Sequence, residues 1–420
     1  MRAFIFLLTI LFISFQTDIF CAGLTREVRK TLRTARYHDN AGEDKKVMES
    51  LNTLEQTLLD AIKTEGSVKN IAEYYYLAAL VQEKINDIEN TKVYLGVPYD
   101  TLVYYNSICK LYDYLNKCDS IETIRGKSNR YDNNSRKKLL FHRHNLLNGG
   151  RYYLQNKNNK EAYKIFDLYH CSANYPLLKS LYKSEGDTLY RKVAYWALLS
   201  GYQIRNYNAV IHYAPEALKY GKNKEFIQEY LCRSYQGLGK TIDCVDELKK
   251  GLRLYPNHPY FFTTLISYFS DNKKYSEALL YADKMTEYDP TNITYWYAKV
   301  QIYLCLEAYE DCIKSCEKII ELDSTMTAAY YYKGLSLCNM AKHASDLMRE
   351  TSVKSQKYEL LKNKMIEYYT SAEQPLLKVR ADKPEEEEAW APLLYQIYLN
   401  LNKGDEFDEM DAIMKAMTTI

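Results

Sequence analysis

Apolar and polar positions run along most of this chain at the three- and four-residue spacing that gathers one apolar stripe on a helix. VMESLNTLEQTLLDAIK (47–63), NIAEYYYLAALVQEKIN (70–86) and YDTLVYYNSICKLYDYLNK (99–117) each show it, and each predicts a helix. DSIETIRGKSNRYDNNSRKK (119–138) breaks the pattern: it is polar and asparagine-rich, and reads as a linker.

Beyond it the pattern repeats. YLCRSYQGLGKTIDCVDELKKGLRLYP (230–256), TLISYFSDNKKYSEALLYADKMTEYDP (264–290) and AKVQIYLCLEAYEDCIKSCEKIIELDS (298–324) follow one another at 34 residues without a gap. In that frame Phe262, Trp296 and Tyr330 coincide, as do Tyr235, Phe269 and Tyr303, and Cys244, Ala278 and Cys312. Pro256, Pro290 and Ser324 close the units, and the register extends back through Ala194 and Val210 and forward to Gly334.

These residues resemble the tetratricopeptide repeat, whose pattern is W-x2-L-G-x2-Y, then A-x3-F, then P, in 34 residues. The matches stand at Trp296 and Tyr303, Gly334, Ala278, Pro256 and Pro290, and the resemblance is strong over 225–334. LLNGGRYYLQNKNNKEAYKIFDLY (146–169) looks like a further unit through Gly150, Tyr153, Ala162 and Phe166. MIEYYTSAEQPLLKVRADKPEEEEAW (365–390) is similar to the end of one unit and the start of the next, with Ala372, Leu376, Pro384 and Trp390. The resemblance implies an all-α fold, an α-solenoid of stacked antiparallel helix pairs wound as a right-handed superhelix. We therefore read a leader at 1–23, an N-terminal helical region at 24–140 (degenerate repeats or a cap), and an array at 141–420. Two irregularities interrupt the array, about 14 extra residues around 175–193 and about 26 near 341–366. The second keeps helical composition without proline or glycine, and reads as lengthened helices forming a hairpin.

Composition agrees. Nine prolines and fifteen glycines in 420 residues are too few for the many turns of an all-β fold. A formal charge of +2 gives no global field toward nucleic acid or anionic lipid. Met1-Arg2, an apolar run from Ala3 to Phe15, and Cys21-Ala22-Gly23 have the layout of a secretory signal cleaved near Ala22 or Gly23. Lipidation of Cys21 is the alternative, against which the bulky Phe20 speaks. With the tyrosine- and asparagine-rich style, this resembles exported proteins of Bacteroidetes and points to a periplasmic or secreted protein with no membrane span after cleavage.

Candidate chemistry is sparse. In the repeat frame Cys312 and Cys316 fill the alanine and phenylalanine slots of A-x3-F, where Cys244 with Leu248 and Ala278 with Ala282 stand in neighbouring units. We read them as core packing, since a free cysteine packs as a small hydrophobe and no further ligand stands at metal-binding spacing. After loss of Cys21 an odd number of cysteines remains, so at least one is unpaired; Cys109 with Cys118, or Cys305 with a neighbour, are the disulfide candidates. FHRHN (141–145) puts His142 and His144 beside Arg136, Lys137, Lys138 and Arg143 and reads as a solvated basic helix start. Glu385 to Glu388 follow Pro384 at a helix start, where carboxylates suit the helix dipole. There is no glycine-rich phosphate loop, no G-x-S-x-G and no H-E-x-x-H, so no enzyme, cofactor or metal is expected.

In the family it resembles, the first helix of each unit lines the concave side. Here that implies a groove of Tyr195, Tyr202, Phe226, Arg233, Tyr260, Tyr297, Gln301 and Tyr331, aromatic and nearly uncharged. The family's best-known groove grips a terminal carboxylate with Lys, Arg and Asn; this chain has Glu229, Thr263, Tyr297 and Tyr331 where a cation is sought. The function expected is a non-enzymatic scaffold binding a protein or peptide in the bacterial envelope. The alternative is a carbohydrate-binding component of an outer-surface uptake system, because tyrosine rings also stack on sugars.

Overall fold

A computed structural model of the chain describes residues 22–65, 67–124, 130–180 and 188–418. All of the leader except Ala22 and Gly23, and residues 181–187 of the first irregularity, lie outside the described residues.

The described residues form helices and no strand. They are α1 (22–34), α2 (Ala41–Thr64), α3 (Val68–Leu95), α4 (Thr101–Ile124), α5 (Asp132–Gln155), α6 (Asn159–Ser172), α7 (Pro176–Lys179), α8 (Thr188–Gln203), α9 (Tyr207–Tyr220) and α10 (Lys224–Gly237). There follow α11 (Thr241–Leu254), α12 (Pro259–Asp271), α13 (Tyr275–Tyr288), α14 (Ile293–Cys305), α15 (Tyr309–Leu322), α16 (Thr327–Arg349), α17 (Gln356–Asp382), α18 (Glu387–Leu401) and α19 (Gly404–Thr418). The chain divides into two compact units at Cys244–Val245, inside α11.

Within each unit successive helices pack on one another, from α2 through α6, α8 through α10 and α12 through α19, which is the α-solenoid arrangement that the 34-residue period implies. α9, α11, α13 and α15 begin at Tyr207, Thr241, Tyr275 and Tyr309, one period apart. The turn before each carries a residue in the left-handed region: Arg205 (φ 58°), Gly239 (69°), Lys273 (55°) and Glu307 (55°). Helices of 14 residues such as α9, α11, α13 and α15 are marginal alone in water, so burial of their shared faces holds them. Asn158, Asn206, Asn292 and Ser355 cap helix starts by accepting hydrogen bonds from backbone N–H groups two or three residues on. α16 and α17, 23 and 27 residues long, absorb the second irregularity as a long helix pair.

The core of the first unit runs through Leu58, Leu77, Ile108, Tyr112, Phe166, Val210 and Tyr213. Its early helices are also tied by partly buried polar contacts. Lys92 reaches Asp44 and Glu89, both at 2.7 Å, and Glu55 accepts from Tyr114 (2.6 Å) and Lys110 (2.9 Å). In the second unit Val300, Cys312, Cys316, Ile319 and Ala329 form one cluster, and Leu337, Leu376, Trp390, Leu394 and Met410 belong to another.

Two local expectations change. Of the stretch 119–138, helix occupies 119–124 and 132–138: Asp119 and Glu122 are buried, so a polar sequence here hides a helical face. α5 therefore crosses residue 140. FHRHN lies well inside α5 and is not a solvated start; His142 and Arg143 are buried while His144 is exposed. Arg143 stacks 3.9 Å over the Tyr169 ring and donates to Ser172 Oγ at 2.8 Å, and His142 faces Glu83 at 3.8 Å. Pro384 stands in the turn before α18, with Glu386 at the N-cap and Glu387 and Glu388 in the first turn.

Candidate partner-binding face

The sequence frame assigns the candidate residues to the first helices of successive pairs, and each compact unit carries its own set. In the first unit, α8 supplies Tyr195 and Tyr202, and α10 supplies Phe226 and Arg233. The Tyr195 hydroxyl accepts from Asn223 Nδ2 at 2.8 Å, and its ring lies 5.8 Å from that of Tyr220. Tyr202 packs on Tyr230, ring centroids 4.4 Å apart, and burial raises the pKa of both hydroxyls. Both therefore stay neutral donors at ordinary pH. Arg233 Nε donates to Glu229 at 2.7 Å along α10, an exposed pair of small energetic weight. Phe226, near the start of α10, is 45% exposed.

In the second unit, Tyr260 lies on α12, Tyr297 and Gln301 on α14, and Tyr331 on α16. Tyr297 donates to the Tyr332 hydroxyl at 3.5 Å, with the rings at 67°, and Tyr332 in turn meets the edge of Tyr331 at 5.2 Å. Burial, and then the hydrogen bond to Tyr332, pushes the Tyr297 hydroxyl up to about 12. Gln301, one turn along α14, sits beside Tyr297. Tyr260 is half-buried, its ring edge-on to Phe261 at 5.6 Å. The structure thus brings Tyr297, Tyr331 and Gln301 into one neighbourhood, and Tyr195 and Tyr202 into aromatic pairs.

Two rings packed against these candidates, Tyr230 and Tyr332, were not singled out from the sequence. They occupy the same repeat slot, three units apart, which Thr264 and Ala298 fill between them. That slot directly follows the one holding Tyr195, Tyr297 and Tyr331, so a slot-by-slot comparison of the units contained the signal.

The face can offer half-buried rings and neutral hydroxyls, and few fixed charges. Such rings provide contact area at low entropic cost and hydroxyls that both donate and accept. Among the described residues no cluster of three or more His, Cys, Asp or Glu side chains is placed to hold a metal ion, and no helix is long and apolar enough to cross a membrane.

Cys312 and Cys316 lie inside the second unit, both fully buried beside Val300, with Cys312 Sγ 3.7 Å from the Val300 carbonyl. The neighbouring Cys312 thiol, and then burial, push the Cys316 thiol far up. Cys109 and Cys118 are buried free thiols in the first unit, raised to about 11 and about 12 by burial. Cys305 is a free, exposed thiol. The raised thiols of Cys109, Cys118 and Cys316 are poor nucleophiles.

No protein-family model and no curated protein matches the sequence. Among solved structures, the chain is similar to the C-terminal part of a TPR repeat-containing protein from Cytophaga hutchinsonii, at 14% identity over 62% of this chain and 97% of that one, TM-score 0.35. It is similar to a TPR repeats protein from Bacteroides fragilis at 16% identity, covering 66% and 98%, TM-score 0.31. A third similarity is to the TPR2AB domain of yeast Sti1 in its complex with pHSP90, at 14% identity, covering 60% and 95%, TM-score 0.22.

Proposed function

We propose that this protein is a non-enzymatic scaffold that holds a protein or peptide segment against the aromatic face of its first helices, and that it works in the bacterial envelope. The observation that carries the reading is the Tyr297–Tyr332–Tyr331 cluster with Gln301 beside it. Side chains needed only for packing would be apolar here, as Val300 and Ala329 are in the adjoining core. Hydroxyls at the rim of such a core suit backbone amides of an extended segment, which presents donors and acceptors at every residue. The leader pattern at 1–23 supports export.

The test is affinity capture with chemical crosslinking in an envelope fraction, comparing the wild type with a variant carrying Tyr260→Ala, Tyr297→Ala and Tyr331→Ala. A protein recovered by the wild type and lost from the variant supports the reading. Identical recovery from both, or recovery of nothing, contradicts it.

A further inference from the structure

A different surface of the second unit has its own chemistry. Between α11 and α13, the second helices of two successive pairs, lies a cavity of about 570 Å³, within the range of small-ligand and anchor-residue sites. Leu252 and Met285 form a buried floor, flanked by Tyr281 and by Tyr288, which is 55% exposed. An open tyrosine beside a buried methionine offers ready contact for an apolar side chain.

The rim is cationic, with Lys249, Lys250, Arg253 and Lys284 against a single lining carboxylate, Asp246. Two of these charges are already matched: Lys249 is 3.8 Å from Asp246, and Lys250 is 3.0 Å from Glu247. Arg253 and Lys284 have no ion-pair partner among the described residues; Lys284 rests over the Tyr281 ring at 5.5 Å. They belong to different helices, α11 and α13, both of which line the apolar floor.

We infer that this cavity is a second binding site, for an acidic peptide segment that inserts one aromatic or aliphatic side chain between two carboxylates, one for Arg253 and one for Lys284. Charge complementarity selects the partner, and the floor selects its anchor. Both helices present their C-terminal halves here, residues 249–253 and 281–288. The helix dipole is negative at that end, which weighs more heavily against a doubly charged phosphate than against single carboxylates. The site is independent of the aromatic face on the first helices.

The experiment is fluorescence anisotropy of the full chain with a labelled nine-residue peptide in which one phenylalanine stands between paired glutamates. Saturable binding is expected, weakened tenfold or more in Arg253→Glu with Lys284→Glu, and lost when the peptide's phenylalanine becomes glycine. Binding is unchanged in the Tyr260, Tyr297 and Tyr331 alanine variant, which separates this site from the aromatic face. Tyr288→Ala, at an exposed position, weakens binding through the apolar half alone. No saturable binding to the wild type overturns the proposal, as does equal binding to the charge-reversed variant. Equal or tighter binding of a lysine-flanked peptide, or charge-dependent binding of ATP without binding of the peptide, overturns it as well.

Discussion

Gly150 on α5 lies so close to the Phe166 ring of α6 that a Cβ at residue 150 would fall 2.4 Å from Cε1. The same relation recurs between Gly334 and Leu376, where a Cβ would fall 2.6 Å from Cγ. These are one pair of repeat slots, with the insertion between α16 and α17 lengthening the second separation. Where the first slot holds the larger Val300, the second holds the small Cys316, and both share a core cluster. Volume is conserved across the pair. Cys316 is therefore small because Val300 is large.

Packing complementarity sets the first expectation. Gly150→Ala and Gly334→Ala each destabilise by about 1–3 kcal/mol through overpacking, read from urea midpoints. Cys316→Phe is similarly costly, and adding Val300→Gly restores part of the loss. Absence of any rescue would show that the two slots are independent.

The turns of the repeat carry a second. Lys273 and Glu307 hold left-handed backbone at φ 55°, in the turn position where Gly239 stands one and two units earlier. A residue with a Cβ is disfavoured there by about 1 kcal/mol. Lys273→Gly and Glu307→Gly should each raise stability by up to about that amount, and Gly239→Ala should lower it. Thermal unfolding of the three variants decides the matter.

The third concerns acid. His170 is stacked on Tyr190 (3.9 Å), with its Nδ1 3.3 Å from the Tyr190 hydroxyl, and burial, then the nearby His212, lowers its pKa from 6.5 to about 4. Because the folded value lies below the unfolded one, the unfolded chain takes the proton first. The contribution is whole above about pH 6.5 and is lost as pH falls toward 4, on the order of 3 kcal/mol. Urea midpoints of the wild type should fall more steeply over that window than those of His170→Phe, and parallel curves would refute the assignment.

Thiol labelling gives the fourth. Cys171 and Cys305 are exposed and should react with a chromogenic disulfide reagent in the native protein, whereas Cys109, Cys118, Cys312, Cys316 and Cys338 should react only after denaturation. Rapid native labelling of Cys312 or Cys316 would contradict their place in the core.

What the sequence made legible follows from the range of the forces involved. The repeat frame located α9, α11, α13 and α15 because every unit buries the same slots against its neighbour. It missed the burial of His142 and Arg143, whose partners Glu83 and Tyr169 sit on other helices at no periodic offset. Polarity misled for the same reason at Asp119 and Glu122, buried acids on α4 that a hydrophobic pattern reads as linker. Among the candidate residues, the places of Tyr297 on α14 and Tyr331 on α16 follow from the repeat slot. Tyr332, which links them, was not legible, because the same slot holds Ala298 in the preceding unit.

The most direct test of the partner-binding face is site-specific photocrosslinking in the envelope, with benzoylphenylalanine placed at Tyr331 on α16 or, as control, at Lys314, an exposed position on α15. A discrete crosslinked protein is expected from position 331 and none from 314. No adduct at 331, or the same adduct at both, would contradict that expectation.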